Sequence, residues 1–402
     1  MRSTWNFYSA GQLTFGPGCV SQLPVILARR NLIRPLIVTD PLLLSAGVCE
    51  QVTAPLKAAG IDFKLFDGGE PEPSIAAAER AIALAREVRP DVIVGVGGGS
   101  NMDLAKITAA AYTHGGAANA YFGFDNLPGP VTPLVCVPTT SGTGSEVSHA
   151  AVLTDTANQI KVSTLSNYLR PAVALVDPQL SYTCPPKVTA DSGIDALTHA
   201  IEAYTATNSF DLDPLASFQQ AYDGRNELTD CLAEKAIALV GKHLVAAVKN
   251  GADRAARDGM SLAATLAGIA FSNAAVAVVH ALEYPLGGVV HCSHGAGNGL
   301  LLPHVMRFNL PARSAAFANI AALLGENIAG LTEAAAAERA VVAVEKLRDA
   351  IGIPARIRDL GATRDQLPSF AEKAFAIKRL MTMNPRRVES AADLLSIYEA
   401  AY

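Results

Sequence analysis

Cysteine is sparse and never recurs as a Cys-x-x-Cys pair: its six residues stand far apart, at 19, 49, 136, 184, 231 and 292. That spacing argues against a disulfide framework and for reduced, mostly buried thiols in a cytoplasmic protein. Charge is scarce too. Only 17% of residues are charged and half are apolar, so a sizeable core can be buried and global disorder is excluded. The formal net charge of −5 leaves no electrostatic footprint for nucleic acid. Long hydrophobic runs are missing, since charge, Gly or Pro interrupts each one before it reaches membrane-spanning length, and no membrane partner is expected. The opening Met1-Arg2-Ser3-Thr4-Trp5-Asn6-Phe7 has neither an apolar core nor a small-residue cleavage site, so no secretory signal is expected.

At 402 residues, two domains are the natural expectation. The first half alternates β-rich and helical runs. Strands are expected at Leu36 to Thr39, Phe63 to Phe66, Val92 to Val96, Leu134 to Val137 and Val173 to Val176. Helices are expected over 42–59, over 74–88 and from Met102 onward. This alternation implies a parallel sheet covered on both faces, with ligands outside the carboxyl ends of its strands. After Asp177-Pro178 Ala-rich helical patterns take over, which places an α/β nucleotide-binding domain at 1–180 and an all-helical domain at 181–402. The polar stretch 208–230 reads as an inserted loop with one short helix.

Two turns of the first half carry phosphate chemistry. Gly97-Gly98-Gly99-Ser100 follows a strand and precedes a helix, where backbone N–H groups and the helix dipole favour an anion. Ser100 stands where the last glycine of the usual dinucleotide fingerprint would be, and no Asp or Glu occurs between Asp103 and Asp125 to hold a ribose. Asp40, at the end of an earlier strand, can take the adenosine ribose instead, and its charge favours NAD over NADP. A purely structural glycine turn stands equally open. Pro138-Thr139-Thr140-Ser141-Gly142-Thr143-Gly144-Ser145-Glu146 is a second such turn, with a helix expected to begin near Ser145-Glu146. Two turns from one sheet could grip a pyrophosphate between them, and Lys161 is a charged partner for it.

The second half carries a candidate metal cage. Asp195 and His199 are four apart, so on a helix they share one face. Neither belongs on an apolar face without a partner. A simple Asp–His ion pair would satisfy both, and a divalent metal completed by histidines from the segment His280 to His294 would do so as well. Cys292, close to His291 and His294, is a further residue that could approach a metal, though single cysteines are usually just buried. His114, His149, His243 and His304 read as surface residues, packing residues or residues that support ligands from behind, rather than as ligands.

The words around these residues are more specific. Asp195-Ala196-Leu197-Thr198-His199-Ala200-Ile201-Glu202-Ala203-Tyr204 resembles the iron-containing (group III) alcohol dehydrogenases. So do the glycine turn with Asp103 and Lys106, the 138–146 stretch, His294-Gly295, and Leu301-Leu302-Pro303-His304-Val305-Met306. The resemblance spans nearly the whole chain. It implies a dehydroquinate-synthase-like plan, with an N-terminal dinucleotide-binding domain, an all-α C-terminal domain and an active site in the cleft between them. It further implies metal ligands at Asp195, His199, His280 and His294. Cofactor contacts would fall at Asp40, Gly98, Gly99, Ser100, Asp103, Thr139, Thr140, Thr143, Ser145 and Lys161, and Phe271 would line the substrate pocket. The implied cofactors are NAD and Fe(II), with Zn(II) as a substitute. The implied activity is interconversion of a primary alcohol or hydroxy acid with its aldehyde or oxo acid, in a homodimer.

Departures limit the transfer. Glu72 stands where many members carry Asn near the cofactor, and Asn101-Met102 replaces the common Pro-Ile. Tyr284 replaces a second His four residues after His280, and that position lies beside the substrate or nicotinamide in the family. His291 has no counterpart among the family's ligands. Tyr284 and the 208–230 segment, with Ala221-Tyr222-Asp223-Gly224-Arg225-Asn226, look more like the hydroxyacid–oxoacid transhydrogenase branch, an alternative reading. A related metal-dependent lyase or synthase is a third, but its members lack the Thr-Ser-Gly-Thr-Gly-Ser-Glu stretch.

Overall fold

A computed structural model describes residues 2–158, 160–213 and 222–402. The chain forms two compact units, Tyr8–Cys184 and Pro185–Tyr402, the latter including the residues before Tyr8. Arg2 is tied there through its guanidinium, 2.5 Å from Asp223 Oδ1.

The unit Tyr8–Cys184 is built on β1 (Leu13–Phe15), β2 (Pro35–Val38), β3 (Lys64–Phe66), β4 (Val92–Gly97), β6 (Leu134–Pro138) and β9 (Val173–Val176). They form one parallel sheet in the order β1-β9-β6-β4-β2-β3. Alternate residues of the strands enter different cores. Leu36, Ile93 and Leu134 pack with α4 (Ile75–Val88) and α5 (Gly99–His114). Ile37, Val94 and Val135 pack with α1 (Leu23–Arg29) and α3 (Val48–Ala58). Both faces are therefore covered, which is why these strands read as continuous apolar runs.

Three local expectations change. The helix expected over 42–59 is two, α2 (Pro41–Ser45) and α3, because Gly47 takes a left-handed φ of 70° between them. Helix α5 starts at Gly99 rather than Met102, so the glycine turn supplies its first turn and Gly98 precedes it in extended conformation. No helix begins at Ser145-Glu146. Gly144, at φ 62°, opens tight turns there, and the Ser145 hydroxyl binds Asp103 and Lys106 instead of capping a helix. The chain then enters β7 (Ala150–Asp155), which pairs antiparallel with β8 (Ile160–Leu165). With β5 (Gly123–Phe124) they form a second, three-stranded sheet that periodicity alone had not separated from the loops around it.

The other unit is helical: α6 (Pro186–Thr205), α7 (Glu227–Lys249), α8 (Arg254–Phe271), α9 (Val278–Val290), α10 (His294–Leu323), α11 (Glu333–Ala350), α12 (Leu367–Phe375), α13 (Lys378–Met383) and α14 (Ala391–Ala401). Among the described residues it holds no strand, only an isolated bridge between Asn208 and Arg225. Several starts are capped by side chains, with Asn226, Asp253, Ser293, Thr332 and Ser390 accepting from first-turn N–H groups. Helix α6 is buried almost all round from Gly193 to Thr205, so it forms the centre of this core. Helix α10 bends at Arg313, two residues after Pro311, and there the guanidinium reaches the Thr205 and Ala206 carbonyls that end α6.

Part of the expected insertion, 214–221, lies outside the described residues. Of the rest, Ser209–Asp211 is a single 3-10 turn, and Glu227 already belongs to α7. The cysteines are all thiols. Cys19, Cys49 and Cys136 are buried, Cys184 and Cys292 half-buried, and Cys231 exposed, so burial is less general than expected.

Candidate functional site

The metal constellation is assembled by three helices of the helical unit. Asp195 and His199 come from the middle of α6, His280 from the first turn of α9, and His294 from the first residue of α10. The approach of α10 to α6 requires glycine. A Cβ on Gly295 would lie 2.6 Å from the Asp191 carbonyl carbon, and one on Gly299 would meet Ile194 Cγ1 at 2.7 Å. Ser293 fixes the same junction, since its hydroxyl donates to Asp191 at 2.5 Å and accepts from the Ala296 N–H.

Asp195, His280 and His294 bring one ligand atom each within 4.8 Å of the others. His294 Nε2 is 3.9 Å from Asp195 Oδ1. His199, the fourth expected ligand, is outside that group; its ring stacks on His280 at 4.8 Å, and its Nδ1 is 3.8 Å from Asp195 Oδ2. Phe271, at the end of α8, stacks on the His199 ring, with the ring centroids 4.2 Å apart. Tyr284 lies 6.1 Å from His294, ring to ring. His291 ends α9 in a left-handed conformation, and among the described residues it is not in the donor group. Nor is Cys292, whose Sγ lies towards Gly297.

Three residues without an assigned role complete the geometry. Glu202, one turn beyond His199 on α6, accepts from His280 Nδ1 at 2.5 Å and from the Val279 N–H at 2.7 Å. Glu283, on α9, accepts from His294 Nδ1 at 2.5 Å. The Asn298 amide nitrogen is 2.8 Å from Asp195 Oδ1, 3.1 Å from His294 Nε2 and 3.3 Å from His280 Nε2. The sequence did carry a signal for the two glutamates. Each interrupts an otherwise apolar run, Ala200-Ile201-Glu202-Ala203 and Ala281-Leu282-Glu283-Tyr284, and a buried carboxylate needs a partner.

These contacts test whether a cation fits. With Nδ1 of both rings donating to carboxylates, each neutral ring presents a lone pair at Nε2. One amide group carries two hydrogens, yet three acceptors surround it. A divalent cation satisfies all three, and the mixed imidazole and carboxylate set suits Fe(II) or Zn(II). Burial pushes the Asp195 carboxyl pKa up. Against burial, positive charge on His199, His294 or His280 and the Asn298 amide hydrogen bond favour the anion, and the balance lies below the usual carboxylate range; with the two rings neutral, the Asn298 bond remains. Asp195 is thus kept as an anion, the form that binds a cation.

In the unit Tyr8–Cys184, the two expected phosphate turns are neighbours because β4 and β6 pair. The Thr139 N–H donates to the Gly97 carbonyl at 2.9 Å. Thr140 and Thr143 stand over Gly98 and Gly99, where a Cβ would lie 3.4 Å and 2.9 Å from their hydroxyls. Asp40 caps α2 through Oδ1, while its Oδ2 accepts from Asn101 at 2.6 Å. The Ser100 hydroxyl donates to the Pro71 carbonyl. Asp103 and Ser145 bind each other at 2.6 Å and are joined to buried Lys106, whose ammonium also reaches Ser148 and the Ala150 carbonyl. Lys161, on β8, faces Glu72 at 3.3 Å, so the residue that departs from the family pattern meets the expected cofactor lysine.

Residues 10–178 match the family described as iron-containing alcohol dehydrogenase, and 189–402 match the C-terminal domain of the same family. The chain is 36% identical over 396 residues to the NAD-dependent methanol dehydrogenase of Bacillus methanolicus, covering 98% of this chain and 99% of that one. It is 38% identical over 393 residues to the 1,3-propanediol dehydrogenase of Klebsiella pneumoniae, covering 96% of each. A solved structure of 1,3-propanediol oxidoreductase superposes with a TM-score of 0.92 at 37% identity, over 99% of this chain and all (100%) of that one. On the full length of both matches, the chain belongs to the iron-containing alcohol dehydrogenase family and is an oxidoreductase acting on CH–OH groups.

Proposed function

We propose that the protein is an NAD-dependent, metal-dependent dehydrogenase that interconverts a primary alcohol or hydroxy acid with its aldehyde or oxo acid. The observation that carries this reading is the convergence of Asp195, His280 and His294 on one point, with His199 stacked beside them. Asp195, His199, His280 and His294 are the proposed ligands. When bound, Fe(II), or Zn(II) in its place, supplies Lewis acidity that lowers the pKa of an alcohol and polarises a carbonyl. NAD supplies the hydride acceptor at nicotinamide C4.

The chain's own residues hold and orient. The N–H groups that open α5 at Gly98, Gly99 and Ser100, with the hydroxyls of Thr139, Thr140 and Thr143, are the proposed pyrophosphate cradle. Asp40 is the proposed ribose partner, and its charge disfavours a 2′-phosphate. Lys161 is proposed to contact the cofactor, and Asp103 and Ser145 support the cradle from beneath through Lys106. Phe271 and Tyr284 are proposed to wall the substrate pocket and keep water from it. Relatives named for methanol and 1,3-propanediol support a substrate with a terminal hydroxyl. Among the described residues no helix is long and apolar enough to cross a membrane, and we propose a cytoplasmic homodimer.

The test is to load the purified protein with Fe(II) without oxygen and follow NADH absorbance across short alcohols, diols and hydroxy acids, with and without added NAD. NADH formation that needs both metal and NAD is the expected result. A second reading, a hydroxyacid–oxoacid transhydrogenase, draws on the Tyr284 ring beside His294. Exchange between two organic acids without net NADH would favour it and overturn the first.

A further inference from the structure

We propose that Glu202 and Glu283 are positioning residues that fix the tautomers of His280 and His294, and that Glu283 makes His294 a ligand rather than a solvated helix-end histidine. The inference rests on the metal reading above and concerns how that site is set.

A free neutral imidazole carries its proton on either nitrogen, so an unanchored histidine offers the wrong face part of the time. Here both Nδ1 atoms lie 2.5 Å from a carboxylate oxygen, and a carboxylate can only accept. The proton therefore sits on Nδ1, and the lone pair sits on Nε2. Those are the nitrogens that point to Asp195 and the Asn298 amide.

The two anchors are held differently. Glu202 is clamped on both oxygens, by His280 Nδ1 and the Val279 N–H, and sits on the same helix as Asp195 and His199. It ties α9 to α6. Glu283 is completely buried, whereas the His294 side chain it holds is 31% exposed. His294 is the first residue of α10; the rings of His280 and Tyr284 lie 5.3 Å and 6.1 Å from its own, and the Glu283 carboxylate is the acceptor at its Nδ1. Room for that carboxylate comes from Gly297, where a Cβ would lie 2.8 Å from Glu283 Cγ. Tyr398 of α14 closes the far side by donating to the Leu282 carbonyl at 2.5 Å. Outer carboxylates of this kind orient ligand imidazoles at many metal centres.

Two measurements decide the matter. On metal-free wild-type protein with 15N-labelled histidine, ring 15N–1H correlation spectra identify which nitrogen of each imidazole is protonated. Nδ1–H is expected for His280 and His294, and Nε2–H at both would overturn the proposal. In parallel, the Zn(II) affinity of wild type, Glu283→Ala, Glu283→Gln, Glu202→Ala and Glu202→Gln is measured by competition with a chromogenic chelator, alongside the metal-free melting temperature. The alanine variants should bind about 10- to 100-fold more weakly. The glutamine variants should recover part of the loss, because an amide oxygen accepts the same N–H. Folded alanine variants that bind like wild type would overturn the proposal while leaving the function reading intact. Wild-type protein that takes up no metal would overturn both. Should the alanine variants not fold, the tautomers of the wild type settle it alone.

Discussion

Gly295→Ala tests the geometry of the metal centre at the point where two helices meet. The added Cβ would strike the Asp191 carbonyl oxygen first, and would lie 2.6 Å from the carbonyl carbon and 3.3 Å from Cα, all backbone atoms of α6. Carbon atoms rest at about 3.5–4.0 Å, so the helices must part by about 1 Å. Overpacking of this kind costs about 3 kcal/mol at the upper end of its usual range, since no side chain can swing away. Alanine regains about 1 kcal/mol over glycine in a helix. A net loss of about 2 kcal/mol remains, which lowers the melting temperature by about 4–8 °C for a unit of this size. The effect on metal binding should be larger in proportion. Ligand distances tolerate only about 0.2 Å, and a displacement of about 1 Å carries His294 away from Asp195. Differential scanning calorimetry of the metal-free protein and chelator competition read the two effects separately. Gly299→Ala is the comparison, because its Cβ meets the Ile194 side chain at 2.7–2.8 Å, where rotation relieves part of the clash. A Gly295→Ala protein that melts with wild type and binds metal with unchanged affinity would show that the closeness of α10 to α6 does not set the ligand geometry.

Lys106→Met should cost about 3–5 kcal/mol in chemical denaturation, because it strands Ser145, Ser148, the Ala150 carbonyl and Asp103 around a buried apolar group; a loss under about 1 kcal/mol would sink the idea that this ammonium holds the second phosphate turn. Ser293→Ala removes both the α10 cap and the bond to Asp191 and should cost about 1–2 kcal/mol, read from the denaturation midpoint. Burial, then Arg307 and Arg348, push the His304 pKa from 6.5 down to about 4. The unfolded chain then takes up a proton that the folded one refuses, so stability is full above the unfolded pKa and falls as the pH drops from 6.5 towards 4. The expected loss between about pH 7 and about pH 5 is roughly 2 kcal/mol. His304→Gln should abolish that part of the slope, and an unchanged slope would exclude His304 as its source. Removing metal with a chelator should lower the melting temperature of the wild type, by about 2.7 kcal/mol of lost stabilisation when free metal had stood at a hundred times its Kd; Asp195→Ala should show no such difference with and without chelator.

Much of this was legible before any coordinates. The apolar strand runs, the glycine turn after Val96 and the pair Asp195–His199 are local patterns, and local patterns encode the sheet, the turn that opens α5 and one face of α6. What was not legible depends on contacts between residues far apart in the chain. Glu202 meets His280 across 78 positions, and Asn298 meets Asp195 across 103. Nothing in the spacing of either residue announces those meetings, although a carboxylate inside an apolar run marks a partner without naming it. The β7–β8 hairpin was hidden because only β7 alternates, with Ala151 and Leu153 buried, whereas β8 buries two adjacent residues, Thr164 and Leu165. The helix expected at Ser145-Glu146 failed for a tertiary reason: its capping hydroxyl is used by Asp103 and Lys106.

Both candidate sites use one device, the removal of Cβ where a backbone must come close. In β4 and the turn after it, Gly95 lets Ala105 of α5 approach, with a hypothetical Cβ 2.9 Å from the alanine methyl. Gly97 takes a φ of 148°, and a Cβ there would strike Asn101, the residue that holds Asp40. In α10, Gly295 and Gly299 lie one turn apart and face α6, while Gly297 faces Glu283 on α9. The two clusters serve different ends. In the proposed reading the first frees N–H groups to face an anion, and the second lets ligands from three helices converge on a cation. Both ends demand closeness rather than any particular side chain. A glycine in such a place adds no chemistry of its own, yet replacing it moves every group that does. That is why the residues flanking the chemical ones, and not those alone, set whether the centre can form.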